Sequence, residues 1–131
     1  MKSDVHTATT PAEAVSLRIT VQQTAKRGHR ALFEVIVEEA RKRGLAGATA
    51  LRGVMGLDSA GEIHTGKILP VGENLPLVIE IVDTAGQIES FLPFLSDLGQ
   101  EISVATRPIQ AIRFTKGHAS ASSTRARPKN E

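Results

Sequence analysis

Hydrophobic residues follow two different periods along this chain, and the order in which the periods alternate limits the possible folds. In 15–21 the apolar residues occupy every second position, which is typical of a strand with one buried face. Segments that also read as strands recur at 47–57, 77–83 and 109–114. The sequence therefore predicts four strands. The third is apolar from 77 to 82 except for Glu80, and apart from Glu80 it is predicted to be buried on both faces.

Between these strands, two segments have the helical period of about 3.6 residues. One stripe of the first helix consists of Leu32, Val35, Ile36 and Ala40. Gly44 follows this helix and is the residue type that commonly ends one. The second helix starts after Thr84, which forms a capping-box signature with Gln87. The order βαββαβ predicts an α+β, ferredoxin-like sandwich, in which an antiparallel sheet carries two helices on one face.

The other face of such a sheet is left without helices. Alternation along 77–83 places Val78, Glu80 and Val82 on this open face if their neighbours face the helices. A largely apolar exposed face usually marks an interaction site. We therefore expect the chain to form an oligomer.

Charge and composition divide the chain into a domain and two tails. The segment 15–114 holds eleven Lys or Arg and eleven Asp or Glu, so its net charge is zero. We assign one domain to 15–114 and predict disordered tails at 1–14 and 115–131, the second of them basic, because neither tail has large apolar residues in a regular pattern. A neutral domain without Trp or Tyr lacks the features of a nucleic-acid-binding protein.

The composition also bears on location and redox chemistry. The chain has no cysteine, which rules out disulfides and thiolate chemistry. No apolar run approaches the roughly 20 residues that a membrane span requires, and the first residues do not resemble a signal peptide. We expect a soluble, cytoplasmic protein that is not inserted into a membrane.

Several motifs of this chain resemble one family. They are the run GLAGATALRGVMG at 44–56, IHT at 63–65, LPLVIEIVD at 75–83 and IESFLP at 88–93. Together these motifs are similar to the PII-like family catalogued as "domain of unknown function 190", over roughly 15–114. The resemblance implies a homotrimer of the PII and CutA superfamily, with the open sheet faces turned inward. It also implies a regulatory or signalling role, with a membrane transporter or another protein as partner.

The connection 57–75 is too long for a hairpin turn, and long connections in compact domains are often functional. By position it corresponds to the loop through which PII-like proteins contact partners. On this interpretation the partner-binding residues are Asp58, Glu62, His64 and Lys67. The alternative interpretation, a short β-ribbon without a regulatory role, remains open because 62–69 alternates.

Basic residues lie in the turn before the first helix, where Lys26, Arg27 and His29 could bind an anion at free backbone amides. A solvated charged turn is the alternative. On the second strand, Arg52 is predicted to share the open face with Glu80. It could pair with Glu80 or Asp83 across subunits, or it could bind an anionic effector between them.

Gly53 and Gly56 could permit close backbone approach near this cleft, although a strand bulge would explain them equally well. The resulting hypothesis is a small anionic effector bound at subunit clefts. No cofactor is evident, although a nucleotide or another small anion is possible. Nucleotide-binding PII proteins have a loop rich in Gly, Lys and Arg before the last strand, whereas this chain has DLGQEIS at 97–103, which argues against nucleotide binding in that manner.

Two further classes of function were considered. The histidines have no metal-ligand spacing, so we predict no metal site; the alternative is a metal- or ion-binding trimer resembling CutA, with a site around His64. No arrangement of nucleophile and base is readable, so we do not expect an enzyme.

Overall fold

The computed structural model describes residues 5–8, 11–65 and 74–117. Contacts divide the chain into two compact units, which are 14–109 and the terminal segments 1–13 and 110–131. The helices are α1 (Leu32–Lys42) and α2 (Ala85–Asp97). The strands are β1 (Val5–Ala8), β2 (Ala12–Gln22), β3 (Lys26–Arg27), β4 (Arg30–Ala31), β5 (Thr49–Arg52), β6 (Met55–Leu57), β7 (Ile63–Thr65), β8 (Pro76–Asp83), β9 (Ser103–Ala111) and β10 (Phe114–Gly117).

One four-stranded sheet forms the framework, with the strands in the order β5-β8-β2-β9. The central strand β8 runs antiparallel to β2 on one side and to β5 on the other. This order, together with two helices that follow β2 and β8 along the chain, is that of a ferredoxin-like fold. The α+β, ferredoxin-like fold class predicted from the sequence is confirmed.

A single apolar core lies between the sheet and the helices. Its fully buried residues include Leu17 and Ile19 of β2, Ile79 and Ile81 of β8, Leu32 and Ile36 of α1, and Ile88 and Phe91 of α2. Burying side chains of this size contributes about 1.5–3 kcal/mol each. Alternate residues of β8 point away from the core, and Val82 on that open face is 39% exposed, as the alternation predicted.

The helix ends follow the predicted sequence signals. The Thr84 hydroxyl accepts a hydrogen bond from the Gln87 N–H at 3.2 Å, which caps α2. Gly44 adopts a φ of 73° directly after α1 and donates its N–H to the Arg41 carbonyl. The two helices have 11 and 13 residues, and among the described ranges no helix is long and apolar enough to span a membrane.

Two strands differ from the prediction. The segment 47–57 contains two strands instead of one, because Gly53 and Val54 lie between β5 and β6 and belong to neither strand. The last strand of the sheet begins at Ser103 instead of 109, and Pro108 lies inside it. This proline is tolerated because β9 is an edge strand, where a residue without an N–H need not break the ladder.

The terminal unit corrects part of the predicted disorder. Within the predicted tails, β1 pairs antiparallel with β10, with Val5 opposite Gly117 and Ala8 opposite Phe114. Strand pairing satisfies backbone groups without requiring large buried side chains, so the sparse apolar pattern of these segments did not reveal it. Residues 12–14, also predicted as tail, form the start of β2. The other tail residues lie outside the described ranges, except Pro11.

Candidate functional site

A cavity of about 660 Å³ lies beside the β6–β7 hairpin. It is bounded by the end of β2, by the hairpin and by the segment that connects α2 to β9. Polar groups reach it from each of these elements, including Gln22, Asp58, His64, Gln100 and Glu101. The size is that of a site for a small molecule. The cavity is therefore the best candidate for a functional site in the described part of the chain.

The hairpin turn at the cavity is organised by Asp58. Its Oδ1 accepts hydrogen bonds from the N–H groups of Ala60 at 2.9 Å and Glu62 at 2.8 Å. Its Oδ2 lies 2.8 Å from Nε2 of His64, which sits on the facing strand β7. This hydrogen bond from His64, followed by the N–H of Glu62, holds the pKa of the Asp58 carboxyl below its ordinary value.

Asp58, Glu62 and His64 form a compact set of possible metal ligands. One ligand atom from each of the three residues lies within 4.8 Å of the others. The side chains of Asp58 and His64 are 20% and 22% exposed, whereas Glu62 is at the surface. Three of the residues predicted for partner binding are thus brought together in the hairpin, and Asp58 and His64 of this set also line the cavity. The fourth, Lys67, lies outside the described residues.

Gly53 and Gly56 wrap closely around Pro76. A Cβ atom at Gly53 would lie 2.9 Å from the Pro76 Cγ, and one at Gly56 only 2.7 Å from it. The Gly53 N–H also donates to the Pro76 carbonyl at 2.8 Å. The predicted close approach therefore exists, and it is an approach to Pro76 of the same chain, which positions the hairpin against the sheet.

Hydrogen bonds also hold the C-terminal end of the long connection 57–75. The Asn74 Oδ1 accepts hydrogen bonds from the hydroxyl and the N–H of Thr24, and the Leu75 carbonyl accepts one from the Gln23 N–H. The first part of the connection is the β6–β7 ribbon, which agrees with the ribbon interpretation as far as Thr65. Residues 66–73 lie outside the described ranges.

The basic turn does not contribute side chains to the cavity wall. Lys26 and Arg27 form β3, which pairs with β4 in a short ribbon. The ribbon turns at Gly28, whose φ is 65°. Arg27 donates to the Leu98 carbonyl at 3.1 Å and so satisfies the end of α2. His29 lies in the same exposed turn. In the described residues, the effector site predicted around Lys26, Arg27 and His29 is therefore not assembled with the cavity.

The prediction that Arg52 shares a face with Glu80 is wrong. In the β5–β8 ladder Arg52 lies opposite Leu77, whereas Thr49 lies opposite Glu80, and directly opposite residues share a face. Arg52 donates to Gln23 at 3.2 Å. Glu80 pairs instead with Arg18 of the same chain at 2.7 Å. Leu51, the neighbour of Arg52, lies on the open face opposite Val78, so alternation along β5 places Arg52 on the other face.

Asp83, predicted to bind an effector or to pair with Arg52 across subunits, forms hydrogen bonds within the chain. Its carboxylate accepts hydrogen bonds from the N–H of Ala46 at 2.8 Å and from that of Thr84 at 2.7 Å. These bonds connect the end of β8 to the loop after α1 and to the start of α2. Asp83 thus holds backbone segments together, and neither Arg52 nor a neighbouring basic residue is needed to explain its charge.

Sequence reasoning missed several polar cavity residues, and four of them are important for the geometry of the site. They are Gln22, Ser59, Gln100 and Glu101. The Ser59 hydroxyl donates to Glu101 at 3.1 Å, and the Gln100 amide donates to the Lys26 carbonyl at 3.0 Å. The signal in the sequence was the polar pair Gln100–Glu101, which follows Gly99 and interrupts the apolar residues between α2 and β9.

A model of the family DUF190, described as "Uncharacterized ACR", matches residues 14–111. The chain belongs to this family. The resemblance noted from the sequence motifs is therefore confirmed. A DUF190 relative by sequence is a UPF0166 protein of Aquifex aeolicus (strain VF5), which is 33% identical over 76 residues, or 58% of this chain and 72% of the relative.

Solved structures of CPII, a nitrogen regulatory PII-like protein from Thiomonas intermedia K12, resemble this DUF190 chain in fold. One, bound to ADP, AMP and bicarbonate, is 21% identical and covers 78% of this chain and 91% of its own, with a TM-score of 0.51. The apo form is 13% identical, and the match covers 83% of this chain and 99% of the CPII chain, with a TM-score of 0.53. At these identities the similarity establishes a PII-like fold.

Proposed function

We propose that this chain is a PII-like regulatory protein that binds a small anionic effector in the cavity beside the β6–β7 hairpin. Its proposed role is signalling and not catalysis, in the cytoplasm. Binding of the effector changes how the connection 57–75 contacts a protein partner. A membrane transporter is the partner class that the family resemblance suggests.

The position of the cavity carries this proposal. Its wall includes the hairpin turn on one side and Gln100–Ser103 on the other, and these two sides meet through the bond between Ser59 and Glu101. A molecule in the cavity would contact both sides, so its binding affects the hairpin directly. A ligand can shift a conformational equilibrium only when its affinity differs between the states, and this arrangement provides a route to such a difference.

The similar CPII structures supply candidate effectors. They are described as bound to ADP, AMP and bicarbonate or to ADP and bicarbonate. We propose that the effector of this chain belongs to the same class, a nucleotide or a small carboxylate-like anion. The segment 97–103 lacks the Lys and Arg of nucleotide-binding PII loops, so the anion must be bound in another way.

We also propose that the chain is a homotrimer, with its open sheet faces turned inward. The open face includes Val78 and the partly exposed Val82 and Leu51, the last of which is 52% exposed. Burial of these side chains between copies would remove apolar surface from water.

A metal- or ion-binding trimer resembling CutA is the second candidate function. It is supported by the cluster of Asp58, Glu62 and His64, whose ligand atoms lie within 4.8 Å of one another. In this alternative the ion itself is the signal, and no anion is required.

The test is a thermal-shift series with ADP, AMP and bicarbonate on the full chain, each at millimolar concentration. An effector that binds the native state raises the free energy of unfolding, by about 2.7 kcal/mol at a concentration of 100 times its Kd, and so raises the melting temperature. Replacing Ser103, which lines the cavity, with Trp should abolish the shift. The matched variant Thr106→Trp, on the same strand but outside the cavity wall, should retain it.

Limited proteolysis of 57–75 then tests the regulatory step. The effector should reduce cleavage in the wild-type protein and in Thr106→Trp, but not in Ser103→Trp. The proposal fails if none of the three compounds shifts the melting temperature, or if Ser103→Trp responds as the wild type does.

A further inference from the structure

The cavity has the wrong side-chain charges for direct binding of an anion. Among the described residues that line it, none is Lys or Arg, while Asp58 and Glu101 are carboxylates and His64 is the nearest basic group. His64 already engages Asp58 at 2.8 Å. A phosphate or carboxylate placed here would meet like charges, and the charge of Asp58, whose side chain is only 20% exposed, is screened less than one at the surface. Within this described lining, a cation bound beside the carboxylates would offset their charge and favour binding of an anion.

The hairpin provides ligands for such a neutralising charge. Asp58 is held by two backbone N–H groups at its Oδ1, so that Oδ2 is fixed beside the His64 ring. Glu62, at the end of the same turn, completes the set within 4.8 Å. In tetrahedral geometry, metal–ligand bonds of about 2.0–2.2 Å separate neighbouring ligand atoms by about 3.3–3.6 Å, so the 2.8 Å contact must open by less than about 1 Å to admit an ion.

We propose that Asp58, Glu62 and His64 bind a divalent transition-metal ion, and that the anionic effector binds the cavity through this ion. One imidazole and two carboxylates suit Zn²⁺ or Mn²⁺ better than the purely oxygen-bound Mg²⁺ or Ca²⁺. Three protein ligands leave coordination positions open for water or for an oxygen of the effector. The inference rests on the proposed effector function and explains how an acidic cavity performs it.

A second observation in the same cavity points to a bound group. The amide oxygen of Gln22 is buried and, among the described residues, has no hydrogen-bond partner. A buried acceptor left without a donor is costly, and such groups usually bind water or a ligand. Gln22 lines the cavity along with Asp58 and His64. If the Gln22 side chain rotates so that this oxygen faces the cavity, water or an N–H or O–H group of the effector would supply the missing donor.

Metal binding is tested by calorimetric titration of the chelator-treated full chain with Zn²⁺ and with Mn²⁺. Asp58→Asn retains the acceptor for the turn N–H groups while removing the charge, and Glu62→Gln and His64→Gln remove one ligand each. We expect each variant to weaken the affinity for the metal by at least about tenfold. Glu101→Gln, a neutralised carboxylate of the same cavity outside the ligand set, should bind the metal as the wild type does.

Equal affinity in the wild type and in the double variant Glu62→Gln/His64→Gln would overturn the metal site. Circular dichroism and melting temperature establish that each variant is folded before its affinity is compared. Because Asp58→Asn preserves the turn, it remains informative if another variant is unstable.

The role of the ion is tested with ADP as the anionic probe, titrated into the protein with saturating Mn²⁺ or with excess chelator. We expect the affinity for ADP to fall at least about tenfold without the metal and in the double variant. Binding of ADP that is equally tight in chelator would overturn this inference while supporting the proposed effector function. Absence of ADP, AMP and bicarbonate binding in all conditions would instead contradict the proposed function itself.

Discussion

At the scale of single residues, the position of the β6–β7 hairpin depends on the packing of two glycines against Pro76. The hairpin can lie against the sheet only because neither Gly53 nor Gly56 has a side chain at that contact. The contact is long-range, since Pro76 starts the strand that follows the long connection. Position 56 also lines the cavity, so its packing affects the shape of the site.

Gly56→Ala should therefore destabilise the protein. Its Cβ would lie 2.7 Å from Cγ and 3.2 Å from Cδ of Pro76, and overpacking of this kind costs about 1–3 kcal/mol. Denaturant unfolding measures the change. The control Gly47→Ala has no atom within 4 Å of the new Cβ and should change stability little. Adding Pro76→Ala to Gly56→Ala should recover part of the loss, and strictly additive effects would contradict the contact.

At the scale of elements, hydrogen bonds at the ends of the helices connect them to the strands. The capping hydroxyl of Thr84 begins α2 directly after β8, and Arg27 satisfies the carbonyl of Leu98 at its other end. Arg30 of β4 forms two hydrogen bonds with Glu38 of α1, at 2.9 and 2.8 Å. These contacts cap α2 and connect both helices to the β3–β4 ribbon without adding to the apolar core.

Thr84→Ala should cost about 0.5–2 kcal/mol of stability, because one N–H in the first turn of α2 loses its acceptor. The unfolding free energy from urea titration measures this loss. Ser90→Ala is the matched control, because its hydroxyl donates to the Gln87 carbonyl within the same helix and caps nothing. A loss in Ser90→Ala as large as that in Thr84→Ala would contradict the importance of the cap.

The pair Arg30–Glu38 predicts a dependence on pH. The hydrogen bond and charge of Arg30 lower the pKa of Glu38 below that of the unfolded chain. The ionised pair therefore stabilises the fold above about pH 4.3 and loses its effect as the pH falls through the lowered folded value. The melting temperature of the wild type should exceed that of Glu38→Gln at pH 6, and the gap should narrow toward pH 3.

The control for this prediction is Glu89→Gln. Glu89 is an exposed residue of α2 and forms no ion pair with the residues that the structure describes. Its substitution should leave the same small difference at both pH values. A gap for Glu38→Gln that stays constant from pH 6 to pH 3 would exclude a stabilising pair.

At the scale of the whole molecule, the open sheet face is the main feature that an isolated chain leaves unexplained. The core on the helix side is closed, whereas Val82 and Leu51 on the other side stay 39% and 52% exposed. Arg18 and Glu80 pair across this face and are themselves partly exposed. A face that is apolar with an internal ion pair is suited to contact with further copies.

We expect a trimer in solution and its dissociation by Val82→Asp, because an unpaired charge buried in each interface is costly. Light scattering at micromolar concentration measures the mass. Ser96→Asp, which adds the same charge on the exposed surface of α2, should leave the trimer intact. A monomeric wild type, or a trimeric Val82→Asp, would contradict the proposed assembly.

The sequence by itself determined the elements whose signals are local. The alternation of β2 and β8, the stripe of α1, the cap at Thr84 and the stop at Gly44 are set by neighbours within a few residues. Such signals survive without knowledge of the rest of the fold. With the family motifs, they were sufficient to predict the ferredoxin-like order.

Only the tertiary structure decided which residues meet at the cavity. The break at Gly53 and Val54 and the pairing of Arg52 with Leu77 depend on register between distant strands, and a change of one residue exchanges the two faces. The hydrogen bond between Ser59 and Glu101 and the burial of the Gln22 oxygen without a partner among the described residues also depend on segments that are distant in the sequence. These contacts arise from long-range packing, which the local periodicity of the chain does not encode.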